Sequence, residues 1–238
     1  MSVRTYRPRL APKTIRAFQT RLLDWFKHHG RDLPWRSTRD PYKILVSEIM
    51  LQQTQVDRVL DYYGRFLREY PSIQDLAAAG RSAVRESWDG LGYYARARHL
   101  HATARRVVKR HAGEFPRTLD QLMDLPGIGR YTAGAVASFA FGESAPILDT
   151  NVRRVLTRVF IRRRPSRQAA LDRRLWMLAE LLIPCGKAWE FNQALMDFGA
   201  LMCTARNPRC SDCRLGELCA WNQAQSAKSN STPRRRRA

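Results

Sequence analysis

Four cysteines, Cys203, Cys210, Cys213 and Cys219, stand within one short stretch near the C-terminus, separated by six, two and five other residues. No other feature restricts the fold as tightly. Four thiolates on one compact loop can enclose a soft metal centre, and the two-residue gap between Cys210 and Cys213 lets both side chains turn inward. By spacing alone, a structural zinc ion and a [4Fe-4S] cluster are comparable. A fifth cysteine, Cys185, stands apart beside Pro184 and reads as a core residue.

Disulfides are not expected of these thiols, because the N-terminal run lacks the apolar stretch of a signal peptide. No window approaches the length of apolar residues that spans a bilayer. The expected location is the cytoplasm, or the nucleus in a eukaryote, with no membrane association. The chain of 238 residues carries 42 Lys+Arg against 21 Asp+Glu, a net charge of +21. Such an excess selects a polyanionic partner, nucleic acid before membrane.

Helical periodicity dominates. Ile15, Phe18, Leu22, Trp25 and Phe26 share one face between Thr14 and His29. After the break at Arg31–Arg36, a helical stripe runs from about Tyr42 towards Tyr70, interrupted near Gln53 and Thr54; it includes Ile44, Leu45, Ile49, Val56, Val59, Leu60, Tyr63 and Phe66. Further helices are predicted near 73–79, 82–88, 95–111, 150–161, 168–182 and 189–202. No segment alternates as a strand does, so the fold class is all-α. From about Gln223 the chain turns rich in Ser, Asn and Arg, and is expected to be disordered.

Between residues 125 and 155 lies the stretch that suggests chemistry. A Pro126-Gly127-Ile128-Gly129 turn joins two helices, and both glycines can adopt positive φ and let the main chain approach an outside group. The free N–H groups of the helix beginning at Arg130 suit a phosphate oxygen. Further on, Ile147 and Leu148 deliver Asp149 to the start of another helix, where a carboxylate is either a cap or a catalyst. Glu48 falls on or beside an apolar helix face.

Six blocks in this order resemble the helix-hairpin-helix DNA glycosylases of the endonuclease III superfamily, most closely the MutY-type adenine glycosylases. They are RDLPWR at 31–36, SEIMLQQTQV at 47–56, GLGYYARAR at 90–98, LPGIGRYTAGA at 125–135, ILDTNVRRVL at 147–156 and FNQALMDFGALMCT at 191–204. The resemblance implies a two-lobed helical fold with the active cleft between lobes. Residues 1–35 would pack with the cluster lobe, 36–141 would form a six-helix barrel with the hairpin, 142–222 the C-terminal helices and cluster loop, and 223–238 a disordered basic tail. It also implies [4Fe-4S] over zinc, with Cys203, Cys210, Cys213 and Cys219 as ligands.

The same resemblance assigns roles. Glu48, near an apolar face, would hold a proton and act as general acid; Asp149, at a helix N-terminus, would stay ionised and stabilise the sugar cation. Tyr131 stands where strand-cleaving relatives place a lysine, so no Schiff base with the sugar is expected. Asn151 would assist near the sugar. Arg31, Trp35, Leu51 and Gln193 would line the base pocket. Gln52, Gln53 and Tyr93 would wedge into the duplex or contact the opposite base, while Gly127, Gly129 and Arg130 grip its backbone.

The expected activity is monofunctional hydrolysis of adenine mispaired with guanine or 8-oxoguanine, by a monomer acting on double-stranded DNA that contains a mispair. MutY-type enzymes usually continue into a second domain, and only Asn222–Ala238 follow the cluster region that ends at Trp221 here, so 8-oxoguanine recognition is the open part of that expectation. The alternative is a thymine or uracil glycosylase acting on T:G or U:G; Gln52-Gln53-Thr54 resembles the adenine branch. A catalytically silent DNA-binding module is a third reading, opposed by the presence of Glu48, Asp149 and both hairpin glycines.

Overall fold

Helix boundaries follow local chemistry closely in this chain. In the computed structural model, residues 10–231 are described, with side chains through residue 227. The N-terminal residues behind the signal-peptide reading (1–9) and the arginine-rich end (232–238) lie outside them. Among the described residues there is no strand, and no helix is long and apolar enough to cross a membrane. The chain divides into two units, residues 32–145 and residues 1–31 with 146–238. The divisions fall at 31/32 and 145/146, against the 35/36 and 141/142 read from the sequence.

The discontinuous unit begins with α1 (Pro12–His29), which has Pro12 at its first position, where a missing N–H costs nothing, and Lys27, His28 and His29 in its last turn, where cations suit the helix dipole. Phe18, Leu22 and Trp25 are buried on one face. Phe18 meets the rings of Phe160 and Phe191 edge-on at 5.0 and 6.2 Å, and Trp25 meets Phe198 at 5.0 Å. Full burial of each such side chain contributes roughly 1.5–3 kcal/mol.

The continuous unit opens with a 3₁₀ turn at Pro34–Arg36 and then holds α2 (Pro41–Met50), α3 (Val56–Glu69), α4 (Ile73–Ala78), α5 (Arg81–Glu86), α6 (Ala95–His111), α7 (Leu119–Met123) and α8 (Arg130–Phe141). Asp40 caps α2 by accepting from the N–H groups of Tyr42 and Lys43, and Ser72 and Asp75 form a capping box on α4. Every residue of α2 from Ile44 to Met50 is buried, and α8 packs against it through a run of small residues, Ala133 to Ala137. Such burial on all sides marks α2 as the central helix of this unit. Leu60, expected in the buried stripe, is 37% exposed, because α3 turns only Val59, Tyr63 and Phe66 inward.

The discontinuous unit resumes with α9 (Thr150–Phe160), α10 (Gln168–Leu181), α11 (Ala188–Asp197), a π-helical turn at Phe198–Met202, a 3₁₀ turn at Gly216–Leu218 and α12 (Ala220–Ser231). The disorder expected from Gln223 is corrected by α12. Its start is tied down by Asn222 Nδ2 and Gln223 Nε2 donating to the Gly216 and Glu217 carbonyls, and by Trp221 lying under the Arg158 guanidinium. Polar composition hid these anchors. Cys185 is exposed rather than buried, since it stands in the turn between α10 and α11 beside the positive-φ Gly186.

Candidate functional site

In the continuous unit, α2 and α8 bring together two of the sequence-designated residues. Glu48, in the last turns of α2, is 4% exposed, and the Tyr131 hydroxyl donates to its Oε2 at 2.8 Å. Tyr131 is the second residue of α8 and is half-buried. The carboxyl is thus withdrawn from water and has the Tyr131 phenol as a hydrogen-bond donor.

The hairpin preceding α8 is built on α6. The Thr103 hydroxyl donates to the Pro126 carbonyl at 2.7 Å and Arg106 Nη1 to the Asp124 carbonyl at 2.8 Å. Gly127 has φ of 75°, and a Cβ there would lie 2.5 Å from His99 Cβ. Gly129 differs from expectation. Its φ is −91°, an extended N-cap of α8, so its value is the open space outside it, where a Cβ would meet nothing within 4 Å. Gly127, Gly129 and Arg130 are all exposed at the tip.

Gln52 and Gln53 follow α2, and Tyr93 precedes α6. Gln53 and Tyr93 both have positive φ, 57° and 48°, and Tyr93 is 60% exposed. The Tyr93 ring is therefore not a core residue, and it stands on backbone in the strained left-handed region. Trp35 is buried edge-on against Tyr63 at 5.3 Å, and Leu51 is the C-terminal cap of α2.

In the discontinuous unit, Asp149 caps α9 by accepting from the Val152 N–H at 2.6 Å. Cap and candidate catalyst are thus one residue. Burial pushes its carboxyl above the ordinary carboxylate range; hydrogen bonds from Val152 and Asn151, and the charge of Arg154, pull it part of the way back. The helix terminus alone had suggested the opposite direction. Asn151 Nδ2 donates to Asp149 Oδ2 at 3.0 Å and Asn151 Oδ1 accepts from Arg154 Nη2 at 2.7 Å. Arg154 also donates to the Cys203 carbonyl at 2.7 Å and the Gly199 carbonyl at 2.6 Å. Gly199 is required here, since a Cβ would lie 2.7 Å from Asn151 Cβ and 2.9 Å from its carbonyl oxygen. Sequence reasoning passed over Arg154, whose acceptors are mostly carbonyls distant in the chain.

Arg31 and Gln193 also belong to this unit. Arg31 grips the fully buried Asp197 through its backbone N–H at 2.9 Å, Nε at 2.8 Å and Nη2 at 2.6 Å, while Gln193 is buried on α11. Asp197 was likewise not singled out in the sequence. Nε and Nη2 of Arg31 converge on one oxygen, Oδ1, and the backbone N–H takes Oδ2, charge-assisted bonds of the stronger kind.

All four cysteines line one small, mainly apolar pocket with Val159, Phe198, Met202, Leu215 and Trp221. Among the described residues no three ligating side chains converge on a single ion position. Burial pushes the Cys210 thiol up and the Cys213 thiol up to about 11, so deprotonated ligands require a strongly cationic group among them. Four sulfurs around a shared pocket fit an iron-sulfur cluster in this respect. Arg158 closes one side, with Nη1 at 3.4 Å from Cys203 Sγ and 2.7 Å from the Thr204 carbonyl.

A hairpin on an all-helical scaffold, followed by a capping aspartate and a four-cysteine loop, defines a helix-hairpin-helix repair protein. Residues 46–180 match the model of the HhH-GPD superfamily base excision DNA repair proteins, and the chain belongs to that superfamily. Residues 203–219 match the iron-sulfur binding domain of endonuclease III, and the cofactor is a [4Fe-4S] cluster. An adenine DNA glycosylase of Mus musculus is 43% identical over 231 residues, 93% of this chain and 45% of the relative. One from Mycolicibacterium smegmatis is 46% identical over 204 residues, 85% of this chain and 69% of the relative. The structure of a thermostable thymine-DNA glycosylase superposes with a TM-score of 0.81 at 35% identity, over 89% of this chain and 98% of that one. The chain thus spans less than half the length of the mouse protein.

Proposed function

We propose that the chain is a monofunctional DNA glycosylase that hydrolyses adenine from double-stranded DNA where it is mispaired with guanine or 8-oxoguanine. It acts as a monomer, in the cytoplasm or nucleus. The observation that carries this reading is the buried Glu48 carboxyl with the Tyr131 hydroxyl 2.8 Å from it. The relatives named adenine DNA glycosylase, and the Gln52-Gln53-Thr54 run, supply the choice of base.

In this reading Glu48 gives a proton to a ring nitrogen of the base, the N-glycosidic bond breaks, and its electron pair leaves with the base. The sugar cation is met by the Asp149 carboxylate, whose burial raises its energy when ionised and so strengthens its attraction to a neighbouring cation. Water adds to the anomeric carbon and its proton returns to the enzyme. Tyr131 cannot form the imine that leads to strand cleavage. Cys203, Cys210, Cys213 and Cys219 would hold the cluster, which would lend rigidity to the loop 203–219.

Single-turnover base release from duplexes carrying A:8-oxoguanine, A:G, T:G and U:G, with and without alkali, tests the proposal. Adenine release with strand breaks only after alkali supports it. The full-length match to the thymine-DNA glycosylase makes the competing outcome concrete: release of thymine or uracil with adenine untouched would transfer the chain to that branch.

A further inference from the structure

Arg96, at the second position of α6, is 7% exposed. Among the described residues no carboxylate pairs with it. Its charge is compensated almost wholly by main-chain oxygens. Nη1 donates to the carbonyls of Ile49 at 3.2 Å and Met50 at 2.8 Å, to the Gln52 carbonyl, and to Thr54 Oγ1 at 3.0 Å. Nη2 donates to the carbonyls of Leu91 at 3.0 Å and Gly92 at 3.1 Å. One guanidinium therefore sits at the negative end of the α2 dipole and clasps the loop between α5 and α6 at the same time.

The acceptors have a pattern. Gln52 immediately precedes Gln53, and Gly92 immediately precedes Tyr93; these are two of the three non-glycine residues with positive φ among those described. Arg96 thus binds the carbonyl just before each strained residue. Its guanidinium carbon also lies 5.5 Å from the centre of the Tyr93 ring and 5.7 Å from that of Trp88, so it supports the exposed ring from below. Only a planar fork with several donors reaches both loops; an ammonium would keep the charge and lose the clasp.

We infer that Arg96 is a positioning residue that fixes Gln53 and Tyr93 as one rigid two-point wedge, making the opening of a base pair a single coupled step. The inference rests on the proposed function in taking duplex DNA as the substrate, and on the wedge role that the resemblance implies for Gln53 and Tyr93. Strain at Gln53 and Tyr93 is held in place by the clasp, so the wedge is set before DNA arrives.

The test is a double-mutant cycle of Gln53→Ala and Tyr93→Ala in the wild-type and Arg96→Lys backgrounds. It is read as unstacking of 2-aminopurine placed opposite guanine in a duplex, by stopped-flow fluorescence. In the wild type, the double substitution should slow unstacking no more than about twofold beyond the worse single one, because either loss disables the unit. Arg96→Lys alone should slow unstacking about tenfold or more, yet have little effect where the target base faces an abasic site and needs no wedge. In that background the two alanine effects should multiply. Multiplying effects in the wild type, equal slowing of paired and unpaired targets by Arg96→Lys, or no unstacking by the wild type would each overturn the inference. Where Arg96→Lys does not fold, Arg96→Gln, which keeps an amide donor toward these carbonyls, takes its place as the background. Unstacking without adenine release would sink the adenine reading alone, since fluorescence does not require cleavage.

Discussion

The Tyr131 hydroxyl and the Glu48 carboxyl are hydrogen-bonded at 2.8 Å although 83 residues separate them in sequence. The first turn of α8 and the last turns of α2 make this pair, and the small residues of α8 let the helices approach. Tyr131→Phe removes the donor while keeping the ring, so the half-buried site still packs. Base release under single-turnover conditions should fall by about 10- to 100-fold with binding of the mispaired duplex unchanged. An equal loss of binding would place Tyr131 in recognition instead.

Replacing Tyr131 by lysine offers a separate check. An amine at this position could condense with the sugar after base loss, and borohydride should then trap a covalent protein–DNA adduct that the wild type does not form. Adduct formation by the wild type itself would refute the monofunctional assignment.

Asp149 couples function to pH and stability. Its folded-state pKa lies above the ordinary 3.8, so the fold favours the neutral carboxyl. The stability this contributes is complete below the unfolded-state value and is lost as pH rises through the folded value; at neutral pH the ionised group is a cost. Asp149→Asn keeps the cap to Val152, gives up the bond from Asn151 Nδ2 and removes that cost. Thermal melting should therefore show the variant more stable at pH 7, with the advantage narrowing as the buffer is acidified, while base release falls by 100-fold or more, on the order seen when charge stabilisation is removed. A wild type more stable than the variant at pH 7 would contradict the burial argument.

Arg154 joins Asn151 to the carbonyls of Gly199 and Cys203. Arg154→Gln should release Asn151 and lower base release by about tenfold or more, each lost charge-assisted bond being worth roughly 1.5–3 kcal/mol. The visible absorption of the cluster should persist, since no ligand is touched. Gly199→Ala, which collides with the Asn151 backbone, should reproduce the effect. Loss of the cluster in both variants would assign these residues to cofactor retention.

At the hairpin tip, Arg130→Ala should weaken binding to all duplexes alike and reduce the log-log salt slope by about 0.9, the loss of one phosphate contact. Discrimination between A:G and A:T duplexes should be unchanged, because a backbone contact reads no bases.

Much of this was legible in the sequence where the cause is local. The interruption at Gln53 and Thr54 and the turn at Gly127 were legible, and the burial of Glu48 followed from its place beside an apolar helix face, while α1 starts at Pro12, ahead of the Thr14 read from periodicity. Tertiary causes escaped. The direction of the Asp149 shift is set by burial, which overrides the helix terminus that the sequence displays. Arg96 and Arg154 looked like two more of many arginines, because their partners are largely carbonyls assembled only by folding. Gly129 was legible as a glycine but not as an extended one, and α12 was hidden by its polar composition.

The most direct measurement is single-turnover adenine release from an A:G duplex by Glu48→Gln beside the wild type, with duplex affinity measured in parallel. The account predicts release slowed by about 100-fold or more with affinity retained, since the variant keeps the hydrogen-bonding shape but has no proton to give. Release at close to the wild-type rate would contradict it and remove Glu48 from the chemistry.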